Sequence, residues 1–161
     1  MTTEKQYTTT TYTKPEDMYK CYPLAKLLNE KMTEPDYRSA INQITQLSDY
    51  VQHVVLYQGR PVSMAATQTT LMMLLAPKMY CKIDNLATLP EHRGFVTKML
   101  MDNVVQEYRE KGSYGGIGLC AEKGNERANA FYERKIGMKP SSIGWRKYFD
   151  EREEDKARGL I

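Results

Sequence analysis

Polar and apolar positions along the chain change period several times, and each change marks an element. The stretch "QYTTTTYT" (residues 6–13) is rich in Thr and Tyr and predicts a first strand. Lys14-Pro15-Glu16-Asp17 then opens a helix, because proline and acidic residues suit a first turn. That helix is expected to run to about Met32, with Pro23 as a point of kink or division. Thr33 followed by Asp36 resembles a capping box, with Asp where Glu is commoner. Tyr37, Ile41, Ile44 and Leu47 then fall on one helical face, so a second helix follows.

After Asp49 the pattern turns to strands. "VQHVVLY", the turn "QGRP" and "VSMAATQTTLMML" predict a hairpin, and "APK" breaks the chain before the apolar strand "MYCKIDNLAT". From Phe95 to Lys111, Val96, Leu100, Val104 and Tyr108 recur at helical spacing, and Gly112 ends the helix. "GGIGLCA" predicts another strand, "NERANAFYERK" a short amphipathic helix and "SSIGWRKYF" a closing strand. The tail "DEREEDKARGLI" (residues 150–161) is charged and outside this pattern. The order β-α-α-β-β-β-α-β-α-β predicts an α/β (α+β) domain, with a mixed, mostly antiparallel sheet flanked by helices.

Composition narrows the classes. A chain of 161 residues suits one domain, and a net charge of +3 favours an anionic cofactor or substrate without the basic stripe of a nucleic-acid binder. No apolar run approaches the roughly 20 residues of a membrane span, and "MTTEKQYTTT" lacks the apolar core of a signal peptide. Cys21, Cys81 and Cys120 are far apart and without metal-type spacing, which fits reduced thiols in a cytoplasmic protein and no metal site. Cys120 has no histidine near it in sequence to activate it. "YGGIG" precedes a strand instead of following one, the wrong context for a nucleotide loop.

Two segments carry candidate chemistry. "DNLATLPEHRGFVTKML" (residues 84–100) runs strand, tight loop, helix, an order that aims backbone N–H groups at a phosphate. "GNERANAFYERKIGMKP" begins at Gly124 after the next strand. Together they resemble the GNAT superfamily of acetyl-CoA-dependent N-acetyltransferases. "NLATLPEHRG" is similar to the end of that family's fourth strand and the start of its pyrophosphate loop. The second segment is similar to G-N-x-x-A-x-x-F-Y-x-x-x-G-F, with Met138 where Phe is usual. The element order matches over residues 6–149, the expected extent of the domain.

The resemblance implies acetyl transfer from acetyl-CoA to an amine, which attacks the thioester directly. It implies a helix N-terminus facing the pyrophosphate and splayed fourth and fifth strands, whose exposed edge, Leu86, Ala87 and Thr88, bonds the pantetheine arm. Arg93, Gly94, Phe95, Val96, Thr97 and Lys98 would form the phosphate loop, and Asn125 would contact the cofactor. Tyr132 would protonate the departing thiolate, and Asp84 is the candidate general base. The family loop is R-G-x-G-x-G or R-G-x-G-x-A; here only Gly94 is present. Read without a gap, Val96 and Lys98 occupy the glycine positions, and Val96→Gly should then leave affinity unchanged or improve it. Read with a shorter loop, "FVTKML" is the opening turn of the helix.

Strand alternation puts Lys82, Asp84 and Leu86 on one face and Cys81, Ile83 and Asn85 on the other. Of the two histidines, His92 is expected to be exposed in the loop and His53 half-buried on a strand. Lys14 to Tyr50 and the hairpin Val62 to Lys78 should line the acceptor side, with Met18, Tyr19, Tyr22, Met32, Tyr37, Met72 and Met73. The acceptor stays open between a small amine, a protein lysine or N-terminus, and an aminoacyl-tRNA. The lack of a dense Lys/Arg cluster disfavours a large nucleic acid, no membrane is expected, and a homodimer is compatible with the sequence. The missing loop glycines leave a second reading, a GNAT-fold binding or regulatory protein without catalysis.

Overall fold

The computed structural model describes residues 6–70, 77–121 and 124–140. Five strands, β1 (Tyr7–Tyr12), β2 (Val51–Tyr57), β3 (Arg60–Thr70), β4 (Met79–Thr88) and β5 (Tyr114–Leu119), form one sheet in sequential order. β1 to β4 pair antiparallel, and β5 joins β4 in parallel. The β2–β3 hairpin closes through Gln58 and Gly59, both at positive φ (50° and 78°), the turn whose twist matches its strands.

Three helices cover one face of the sheet: α1 (Pro15–Met18), α2 (Tyr22–Leu28) and α3 (Glu34–Leu47). The helical run expected to reach Met32, with Pro23 as a point of kink or division, is divided into two helices, and α2 stops at Leu28. Pro23 sits in the first turn of α2, and Tyr19–Cys21 tighten into a 3₁₀ turn that divides the run. Thr33 caps α3: its hydroxyl oxygen accepts from the Asp36 N–H at 3.3 Å, and the hydroxyl donates to the Asp36 carboxylate at 2.5 Å. Tyr37 and Ile41 are buried as the helical spacing predicts. Leu47 is not; at 81 % exposed it stands beyond the edge of the packed face.

α4 (Phe95–Glu110) covers the other face through Val96, Leu100, Met101, Val104 and Tyr108. Adjacent strand residues serve opposite layers: Val54 packs toward α1–α3, Val55 toward α4. α5 (Glu126–Phe131) runs into a π turn over Tyr132–Ile136, and Phe131 and Ile136 rest against the α4 layer. No helix among the described residues is long and apolar enough to cross a membrane. Met72, Met73, the closing strand "SSIGWRKYF" and the tail 150–161 lie outside the described residues.

Candidate active site

β4 and β5 pair from Met79–Tyr114 only as far as Ile83–Leu119. Beyond Ile83, β4 keeps its bonds to β3 and has no partner on the β5 side among the described residues, which leaves a cleft at the carboxyl ends of two parallel strands. Their paired stretch is tight at Gly118, where an added Cβ would stand 1.6 Å from the Tyr80 hydroxyl oxygen. Beside the cleft β4 bulges. Ala66 pairs with Asp84, but Met64 pairs with Ala87, so β4 carries one residue more than β3 across this interval. Asn85 absorbs it at φ 54°, in the left-handed region that asparagine tolerates best after glycine.

The bulge corrects the expected alternation. Lys82 and Asp84 do share a face and form an ion pair at 3.0 Å. Leu86 instead packs into the α4 layer with Cys81 and Ile83, while Asn85 donates to the Tyr50 hydroxyl at 3.3 Å on the α3 side. Strict period-two alternation fails wherever an extra residue enters a strand.

The loop after β4 is short. Pro90–His92 form a 3₁₀ turn, Gly94 adopts φ 88° with nothing near its missing side chain, and α4 begins at Phe95. The residues "FVTKML" therefore form the opening turn of the helix, as in the shorter-loop reading. Val96 is a first-turn helix residue only 2 % exposed, so its side chain belongs to the core and only its N–H is available to a ligand. The first helical bond runs from Lys98 N–H to Gly94 O at 3.1 Å, and no described side chain caps α4. The N–H groups of Phe95, Val96 and Thr97 are thus the orphan donors of the helix, at its positive end.

A chain of hydroxyls fixes that helix start against the sheet. Thr97 meets Thr88 at 2.8 Å, Thr88 meets Ser63 at 2.7 Å, and Ser63 donates to Ala87 O at 3.2 Å. Arg93 turns back toward the Thr88 carbonyl at 3.5 Å, and the Lys98 ammonium pairs with Asp102.

The second motif begins with Asn125, whose side-chain oxygen accepts from Ala128 N–H at 3.1 Å and caps α5. Tyr132 opens the π turn, half-buried and edge-on to Phe131, and burial raises the pKa of its phenol. It is therefore a protonated donor at neutral pH. Gly137 ends the turn at φ 75°, and the Tyr132 carbonyl accepts from Met138 N–H at 3.0 Å.

On the α2–α3 side of β4 lies a cavity of about 640 Å³. Leu28, Met32, Ile41, Ile44 and Met64 make its apolar wall, and Tyr50, Gln68, Asp84 and Asn85 its polar end. Of the expected acceptor-side residues, Met32 and Tyr37 line it; Met18 is fully buried in the core. Tyr19 bonds Asn42 at 2.5 Å, and Tyr22 donates to Met32 O at 3.1 Å. Beneath the cavity Gln52 donates to Tyr37 (3.0 Å) and Tyr50 (3.4 Å), and Tyr37 donates to Met18 O. Burial raises the pKa of both phenols.

A sequence model of the Acetyltransferase (GNAT) family matches residues 16–138. The chain belongs to the GNAT family. No curated protein sequence matches it. Its fold is similar to an aminoglycoside acetyltransferase from an uncultured soil metagenomic sample, at TM-score 0.75 and 16% identity over 91% of this chain and 99% of that one. Glucosamine-6-phosphate N-acetyltransferase from Arabidopsis thaliana gives 0.69 and 18% over 89% and 99%. An aminoglycoside N-acetyltransferase in complex with CoA gives 0.73 and 11% over 89% and 95%.

Within this GNAT domain both histidines are more enclosed than expected. His92 is half-buried, bonded to the Tyr7 hydroxyl at 2.9 Å and packed on Tyr57. His53 is fully buried, with Nε2 3.0 Å from the Thr67 hydroxyl, which in turn meets the Tyr108 hydroxyl at 2.7 Å. Its Nδ1 lies 3.3 Å from the Glu107 carboxylate, within ion-pair reach but out of line for a hydrogen bond. Sequence reasoning did not single out Tyr50, Gln68 or Ser63, and it named Thr88 and Thr97 without the hydroxyl bond that joins them, because these bonds form only once the sheet and the helix are in place.

Proposed function

We propose that this GNAT protein transfers an acetyl group from acetyl-CoA to an amine. The strongest support is the cleft where β4 leaves β5 at Ile83, next to the uncapped start of α4. The donors there fit a pyrophosphate: three orphan N–H groups, a glycine at positive φ with open space above it, and no carboxylate among residues 93–98.

In this reading Leu86, Ala87 and Thr88 offer their free backbone edge to the pantetheine arm, while Arg93 to Lys98 and Asn125 hold the phosphate end. Bound acetyl-CoA supplies the thioester. Asp84 takes the proton that the amine gives up, directly or through water, as the new N–C bond forms. Tyr132 donates its phenolic proton to the sulfur as the C–S bond breaks. Holding both reactants side by side accounts for much of the acceleration. The unpaired thiols fit a cytoplasmic setting.

The decisive measurement is thiol release from acetyl-CoA across an amine panel, beside thermal melting with acetyl-CoA. Turnover and a raised melting temperature are expected. A raised melting temperature with no turnover by any amine would favour the binding-only reading, for which the single glycine of the loop speaks. An unchanged melting curve at millimolar acetyl-CoA would sink both.

A further inference from the structure

The cavity between α2, α3 and β4 has a wall chemistry that selects among amines, and the inference from it rests on the acetyl-transfer reading. Its volume of about 640 Å³ is that of a small-molecule site. Among the described lining residues there is no Lys, Arg or His, and Asp84 is the one carboxylate. A phosphorylated acceptor would find only the Lys82 ammonium, already paired with Asp84, and a polycationic one would find a single carboxylate, shared with Lys82. Either would also lose hydration against Leu28, Met32, Ile41, Ile44 and Met64 with nothing in exchange.

The polar end, by contrast, is matched to one ammonium. Lys82 occupies Oδ2 of Asp84, and no described residue bonds Oδ1. Asn85 commits its amide nitrogen to Tyr50, and Gln68 commits its own to Ser48 at 3.2 Å, and no described residue donates to the carbonyl oxygen of either. Three acceptors at one end of an apolar chamber correspond to the three N–H donors of a primary ammonium. We propose that the cavity is the acceptor's seat and takes small primary amines with an apolar alkyl or arylalkyl body, nitrogen toward Asp84. A sugar phosphate or an aminoglycoside, the acceptors named for proteins of similar fold, does not match it.

The test is an alkylamine series from propylamine to hexylamine with 2-phenylethylamine, set against glucosamine 6-phosphate and sisomicin, with thiol release as the readout. Each added methylene should raise kcat/KM about three- to fourfold, the ratio expected for burying one CH₂. The sugar phosphate and sisomicin should fall at least about 100-fold below hexylamine. Leu28→Glu, at a half-exposed wall position, should raise the KM for hexylamine while acetyl-CoA binding is retained. A flat series, preference for sisomicin or glucosamine 6-phosphate, or an unchanged KM in Leu28→Glu would overturn the assignment. If no amine releases thiol, hexylamine binding by calorimetry separates the two claims. Binding with the same chain-length dependence keeps the amine seat and defeats acetyl transfer; no binding of hexylamine defeats the seat itself.

Discussion

The hydroxyls of Thr88 and Thr97 meet at 2.8 Å, joining the last residue of β4 to the first turn of α4. Gly94 gives the helix no capping side chain, so this bond and its continuation to Ser63 hold the orphan N–H groups in position. Thr97→Val keeps the shape and removes the bond. Stability should fall by about 1 kcal/mol in urea melts. Acetyl-CoA affinity should fall several-fold by calorimetry, and Thr97→Ser should restore most of it. Equal affinity in Thr97→Val would mean that the loop is held by other means.

Tyr132→Phe removes one hydroxyl and keeps the ring against Phe131. Turnover should drop about 10²–10⁴-fold, toward the smaller end because a thiolate is a good leaving group. Acetyl-CoA affinity should change little. Lost affinity at unchanged turnover would make Tyr132 a cofactor ligand instead.

Val96→Gly now carries a different expectation from the one its sequence position suggested. The valine is a buried first-turn residue, so the change removes a core side chain and adds a helix-breaking glycine. The expected loss is about 3 kcal/mol of stability, combining burial and helix propensity. A loss below about 1 kcal/mol in denaturant would show that the helix starts further on.

His53 predicts a pH dependence of stability. Burial lowers its pKa, and Lys111 adds to that, while the nearby Glu107 carboxylate pulls the other way. Below the ordinary histidine value of about 6.5 the unfolded chain therefore binds a proton that the folded chain refuses. Stability from this group is full above that pH and declines as pH falls toward the folded pKa. Melting temperatures from pH 8 to pH 5 should show this decline, and His53→Gln should flatten it. An identical decline in the variant would assign the effect to other groups.

The three thiols should separate by reactivity. Burial pushes Cys21 and Cys81 up to about 12, whereas Cys120 is exposed. One fast-reacting thiol per chain is expected with Ellman's reagent at pH 7.5, and the other two only in denaturant. Loss of the fast phase in Cys120→Ser would confirm the assignment.

Much of the fold was legible in the pattern of residues. β4 was read as Met79–Thr88 and is found there; α4 was read from Phe95 to Lys111 and ends at Glu110. Both carry strong local signals, apolar runs or a 3.6-residue period bounded by glycine or proline. The two motifs, around Arg93-Gly94 and Asn125, led to the correct family. What escaped depends on contacts across the sheet. The bulge is defined by pairing with β3, whereas the division of the first helical run, expected at Pro23, is found there with a 3₁₀ turn ahead of it. The cavity's polar end joins residues from the α3–β2 connection, β3 and β4, which no local window contains.

The extra residue in β4 acts on the strand as a frameshift acts on a message. Everything after Asn85 is displayed with its two sides exchanged, so Asp84 can face one layer while Leu86 faces the other. Deleting Asn85 would remove the bulge and shorten the strand by one residue. Leu86 and Thr88 would still lie toward α4 and Ala87 toward α3, so what would be lost is the Asn85 amide at the Tyr50 hydroxyl. The segment up to the bulge lines the cavity through Asp84 and Asn85, while the segment after it is tied to the start of α4 through Thr88. Within one strand, the two halves answer to different partners.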